Sequence, residues 1–166
     1  MNACSLTENW FVSPFNFDKI HLLQLNLPKQ VQILDSTLRD GAKQINVHFN
    51  LEEKIKIAQA LDDLGIHRIE IGYATSEKEI NSLKKLSNLG LNAMTVAFCR
   101  TYKEHVDIAL KCDVDGIILD VPASDVLIEK VSRSDKENIV PRVINVASYA
   151  KEHGLYVTFF PYDTTR

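Results

Sequence analysis

The sequence predicts an α/β fold in which a parallel sheet is covered by helices, and three observations lead there. From residue 31 onward, short apolar runs alternate with helix-like segments. The runs are continuous rather than alternating apolar and polar, as strands buried on both faces need to be. Turn and cap residues fall between them at regular intervals, so the unit repeats as strand, helix, strand, with right-handed crossovers. Both doubly wound and barrel topologies satisfy this pattern.

The elements follow in order. Val31 to Leu34 begins the first strand. Asn50 reads as an N-cap with Glu53 at the third helical position, and Leu51, Ile55, Ala58, Leu61 and Leu64 keep helical spacing until Gly65 closes the helix. His67 to Gly72 (HRIEIG) is the second strand. Ser76 and Glu79 form a capping box ahead of Ile80, Leu83 and Leu86, and Gly90 ends that helix. Ala93 to Phe98 (AMTVAF) is the third strand, Tyr102 to Lys111 the third helix, and Gly116 to Val121 (GIILDV) a fourth, β-branched strand. Asn138 to His153 is the fourth helix, with Pro141 in its first turn, and Gly154 introduces the fifth strand, Leu155 to Phe160.

Residues 1 to 30 have another texture. Trp10, Phe11, Phe15 and Phe17 follow neither period and Pro14 and Pro28 interrupt them, which predicts an extension packing aromatic rings on the outside of the sheet, with residues 31 to 166 as the domain proper. The 166 residues are 45% hydrophobic and 25% charged with a formal net charge of −3, the profile of an ordinary globular domain. Charges of both signs are interspersed, so no basic stripe recommends nucleic acid and no polybasic block a membrane surface. Without a signal-like N-terminus or an apolar run of about 18 residues, the expected location is the cytoplasm. Cys4, Cys99 and Cys112 contain no C-x-x-C pair and read as reduced thiols, with Cys99 a buried small hydrophobe rather than a reactive one.

In a parallel β/α architecture the βα loops converge at the C-terminal ends of the strands, so functional residues are sought there. Strand one runs into Asp35-Ser36-Thr37-Leu38-Arg39-Asp40-Gly41, strand two carries Glu70, strand three ends at Arg100, strand four at Ser124-Asp125, and strand five at Asp163 and Arg166. Opposite charges gathered round one mouth are costly unless they bind each other, a metal or an anionic ligand, which points to an acidic substrate.

The segment ILDSTLRDGA resembles the D-x-T-L-R-D-G signature of the acyl-CoA condensing and cleaving enzymes called DRE-TIM metallolyases, which include isopropylmalate synthase, homocitrate synthase and 3-hydroxy-3-methylglutaryl-CoA lyase. FNLEEKIKIAQALDDLGIHRIEIG and the AKEHGLYVTFFPYDTTR ending resemble the same family, so the likeness covers roughly residues 31 to 166. It implies the N-terminal part of a TIM (β/α)8 barrel, about five parallel strands with outer helices, not closed by this chain alone. It implies Asp40 as ligand of a divalent metal (Mg, Mn or Zn), Arg39 against the enolate or carbonyl oxygen, Glu70 completing the site, and Arg100 on the substrate carboxylate. Lys43, Asp163 and Arg166 join the substrate-binding set. The implied reaction joins acetyl-CoA to a 2-oxo acid, with metal and guanidinium polarising the ketone; cleavage would use the same groups in reverse.

Departures from the family pattern shape the expectation. The family's H-x-H metal pair is absent, since no two of His21, His48, His67, His105 and His153 are one residue apart. A closed barrel takes about 250 residues. Lys43 stands where the family places Gln, and Tyr162 where an acidic residue is usual. A chain incomplete on its own is therefore expected: a fragment of a longer product, a non-catalytic remnant that only associates with another subunit, or a chain completed by a homo-oligomer or a second polypeptide.

Overall fold

In the computed structural model the described residues are 28–76, 79–130, 132 and 135–164. The aromatic packing expected of residues 1–27, and Cys4, lie outside them. The chain divides after Val31, and the second unit, Gln32–Arg166, carries every element described here.

Five strands, β1 (Leu34–Asp35), β2 (Arg68–Tyr73), β3 (Met94–Arg100), β4 (Gly116–Pro122) and β5 (Tyr156–Tyr162), form one sheet in the order β1-β2-β3-β4-β5. Every neighbouring pair is parallel. Sequential order without reversal gives an open half-barrel rather than a doubly wound sheet. Its curvature shows inside: the Arg68 guanidinium reaches from β2 to β5, 3.3 Å from the Tyr156 hydroxyl and 5.3 Å from the centre of its ring.

Helices α1 (Leu51–Asp63), α2 (Ile80–Ser87), α3 (Lys103–Lys111), α4 (Asp125–Lys130) and α5 (Lys136–Glu152) lie in the connections. Helix α1 starts as its sequence dictates: the Glu53 N–H donates to Asn50 Oδ1 at 3.0 Å and the Asn50 N–H donates to Glu53 Oε2 at 2.8 Å, a complete capping box. Gly65 ends it at φ +83°. The second predicted capping box straddles residues 77 and 78, outside the described set; Glu79 takes the N-cap position of α2 with no side-chain cap hydrogen bond. Helix α5 begins at Lys136 because Asp135 accepts the Asn138 N–H at 2.8 Å, so Pro141 lies inside the helix rather than in its first turn. The short α4 was not predicted; six residues give too little periodicity to read.

Side chains alternate across the strands. Ile69, Ile71, Ala97, Cys99, Ile117 and Leu119 join the helices in one apolar core, while Val96, Phe98 and Ile118 are buried but stand apart from it, on the other face. The buried Glu70 belongs to that second face, next to Val96 in register. Cys99 and Cys112 are buried and neither is in a disulfide, and burial pushes the Cys99 thiol far above its ordinary range, in line with a buried small hydrophobe at Cys99.

Candidate active site

The site begins where β1 gives out. Asp35 accepts from the Thr37 N–H at 2.8 Å and its hydroxyl at 3.1 Å, and the Ser36 carbonyl accepts the N–H groups of Arg39, Asp40 and Gly41. That tight turn, followed by the 3-10 turn Gly41–Lys43, brings Arg39, Asp40 and Lys43 to one rim. The signature thus builds its own scaffold: Asp35, Ser36 and Thr37 shape the backbone that aims Arg39.

Arg39 points inward. Its Nε lies 2.7 Å from Oε1 of Glu70, which is wholly buried on β2, and its Nη1 donates to Asp40 Oδ1 at 2.7 Å. Its guanidinium carbon lies 4.9 Å above the centre of the Phe98 ring on β3. The Arg39–Glu70 contact is close but off line for a directed hydrogen bond, and Glu70 Oε2 has no hydrogen-bond partner among the described residues. Burial raises the Glu70 carboxyl above its ordinary value, against the pull of Arg39. Just beyond Glu70 the β2–β3 register shifts, and Tyr73 turns its ring edge-on to Phe98, centroids 5.3 Å apart. A shift of this kind re-aims side chains beside a site.

Lys43 closes the rim. Its ammonium lies 3.9 Å from Asp40 Oδ1 and 4.9 Å from the Tyr73 ring centre. A cleft of about 240 Å³ runs from Arg39 and Lys43 outward to His48, Phe49 and Lys54.

The remaining predicted residues are placed as follows. Arg100 ends β3 and is exposed. Asp163, at φ +62° after β5, accepts a short hydrogen bond from the Ser124 hydroxyl. Arg166 lies outside the described residues. The structure therefore joins Arg39, Asp40, Glu70 and Lys43 directly, while Arg100 and Asp163 stand on later strands.

Asp120 and Tyr162 complete the neighbourhood. Asp120 pairs with Arg100 in the parallel register; burial raises its carboxyl, while Arg100, Arg39 and Lys43 all draw it back. Tyr162 is raised by burial and by Asp120. Asp120 went unread within the apolar run GIILDVP, although its place level with Arg100 would have revealed it.

The divalent metal implied by the resemblance is not matched by these side chains. Asp40 Oδ1 is shared by Arg39 and Lys43, Glu70 is held by Arg39, and among the described residues no group of three His, Cys, Asp or Glu could hold a metal ion. What the arrangement does offer is a mostly covered, oriented guanidinium beside further cations, suited to an anionic oxygen.

Comparison with known proteins puts this geometry in a family. The HMGL-like family model matches residues 30–166. The chain belongs to the HMGL-like family. Within it, the chain is 42% identical over 158 residues to homocitrate synthase AksA of Methanothermobacter thermautotrophicus, covering 95% of this chain and 39% of that protein. It is 40% identical over 142 residues to a probable 2-isopropylmalate synthase of Ignicoccus hospitalis, covering 85% of this chain and 36% of that one. The chain thus spans under two-fifths of these relatives' length. Among solved structures, the HMG-CoA lyase of Bacillis subtilis superposes with a TM-score of 0.68 at 20% identity, covering 80% of this chain and 46% of that chain, which shows the shared fold. No helix among the described residues is long and apolar enough to cross a membrane.

Proposed function

We propose that this chain carries the carbonyl-polarising part of an acyltransferase that condenses acetyl-CoA with a 2-oxo acid, in the manner of homocitrate, isopropylmalate and citramalate synthases. One observation supports it above the others: Arg39 is mostly covered at the mouth, its side chain 12% exposed, packed on Phe98 and held by Glu70. As an acetyl-CoA enolate adds to the ketone carbon, charge gathers on the ketone oxygen. A guanidinium that is always protonated and already oriented stabilises that charge without reorganising. In this reading Glu70 positions Arg39, Arg100 and Lys43 take the acid's carboxylate groups, and Asp163 and Arg166 join the substrate-binding set. Asp40 is the proposed metal ligand, and its companions would have to come from outside the described residues; no step is assigned to the metal. We further propose residues 1–30 as an extension to the 31–166 barrel segment, and a cytoplasmic location in keeping with Cys99 and Cys112, neither of which is in a disulfide.

Thiol release from acetyl-CoA, measured with a divalent metal and a panel of 2-oxo acids, tests the proposal. Release should depend on the acceptor and fall by about 10²–10³-fold in Arg39→Ala, the usual cost of losing an oxyanion donor. Absence of release with every acceptor would sink it. A second reading, association without turnover, is favoured by the β1 and β5 edges of the sheet, which pair with no further strand among the described residues. It predicts a native mass above 18.8 kDa with no thiol released.

A further inference from the structure

We propose that the cleft between Arg100 and Arg142 is a second oxyanion subsite, taking the distal carboxylate of a dicarboxylic 2-oxo acid or a phosphate of CoA. The proposal deepens the acyltransferase reading and rests on it for the position of the ketone. The cleft, about 210 Å³, is lined by Arg100, Thr101, Tyr102, Asp120, Arg142 and Tyr162. It has room for one charged group on a short chain and not for a whole cofactor.

Three features make it a site rather than a surface dimple. First, Arg142 comes from α5, outside the sheet, and its guanidinium lies 5.6 Å from the Tyr102 ring centre. Its Nε is closed off from solvent with no hydrogen-bond partner among the described residues. A buried N–H without an acceptor is costly, and the same guanidinium-bearing side chain lines the cleft. Second, Arg100 and Asp120 are register neighbours on β3 and β4, yet among the described residues no ion pair joins them or occupies Arg142. Two planar forks facing one space match the oxygens of a carboxylate or phosphate. Third, the cleft adjoins the mouth, because Asp120 lies within the field of Arg39 and Lys43 as well as Arg100. A ligand whose ketone rests on Arg39 therefore has a second cationic pair ahead of it.

Asp120 limits the site. Two guanidinium groups against one carboxylate leave the cleft positive; burial raises the Asp120 carboxyl, while Arg100, Arg39 and Lys43 draw it back. The Tyr162 ring, whose hydroxyl is also raised, lines the same space and supplies an O–H donor. Lys43 adds a cation at the rim beside Asp40, and the Arg142 cleft is a second place where positive charge gathers.

The test is an arginine side-chain NMR titration of the full chain with three probes: 2-oxoglutarate, 2-oxobutanoate and CoA. The Arg142 Nε–Hε signal, assigned by its loss in Arg142→Lys, should shift with 2-oxoglutarate and stay still with 2-oxobutanoate. Affinity for 2-oxoglutarate should fall about tenfold in Arg142→Gln, with partial rescue in Arg142→Lys and no change for 2-oxobutanoate. If CoA moves Arg142 and 2-oxoglutarate does not, the subsite stands with phosphate as its ligand. If none of the three probes moves Arg142, or if Arg142→Gln binds all three as the native chain does, the proposal is overturned. Arg39→Ala separates the two readings. Arg142-dependent 2-oxoglutarate binding that survives Arg39→Ala unchanged would uphold the subsite while removing the ketone from Arg39.

Discussion

The two sides of the mouth are built on opposite principles. On the β1–β2 side every charge is spoken for: Arg39 lies between the buried Glu70 and Asp40, and Lys43 leans on Asp40 and the Tyr73 ring. On the β3–β5 side Arg100 and Asp120 stand level in register, and no ion pair joins them or Arg142 among the described residues. The first arrangement is held by its own ion pairs; in our proposal the second is completed by a ligand. A site that activates a ketone needs its oxyanion donor immobile, whereas a site that reads the rest of the substrate needs donors left open.

Removing the anchor of the fixed side should have the largest effect. Glu70→Ala removes the buried partner of the Arg39 guanidinium and leaves it only the exposed Asp40, and urea unfolding should show a loss of about 2–3 kcal/mol, less than for a pair buried on both sides. On the open side, Arg100→Ala should leave stability within about 0.5 kcal/mol, because its side chain is exposed and makes no ion pair among the described residues. Equal losses at the two arginine-bearing sides would erase the distinction drawn above.

A smaller effect should appear with pH. The Arg100 N–H donates to His105 Nδ1 at 3.2 Å, and burial, then Arg100 itself, lowers His105 below the ordinary imidazole value. Since the folded state disfavours the charged imidazole, this contribution is whole above about pH 6.5 and declines as pH falls from there through the depressed folded value. His105→Gln should flatten that part of the stability profile, measured by urea midpoints at successive pH values. A slope through this window unchanged by the substitution would remove His105 from the support of Arg100.

Much of the fold was legible because periodicity and caps agree. The Asn50–Glu53 box and Gly65 bound α1 where the spacing placed it, and four of the five strands lie within two residues of their predicted starts and ends; the exception is β1, which is only Leu34–Asp35. Rim positions brought out Arg39, Asp40, Glu70 and Lys43, but not how they divide the work. That Glu70 meets Arg39 depends on the distance between adjacent strands, which no local pattern encodes. Asp120 was hidden in an apolar run, and Arg142 lies on a helix where a single arginine reads as a solvated face.

The central claim is that Glu70 and Arg39 act as one unit. A double-mutant cycle in urea, using Glu70→Ala, Arg39→Ala and the combination, tests it most directly. The two losses should overlap, leaving the double variant more stable than their sum predicts by about 1.5–3 kcal/mol. Losses that add to within about 0.5 kcal/mol would mean that the two side chains are independent, and that Arg39 is not held in place for the ketone.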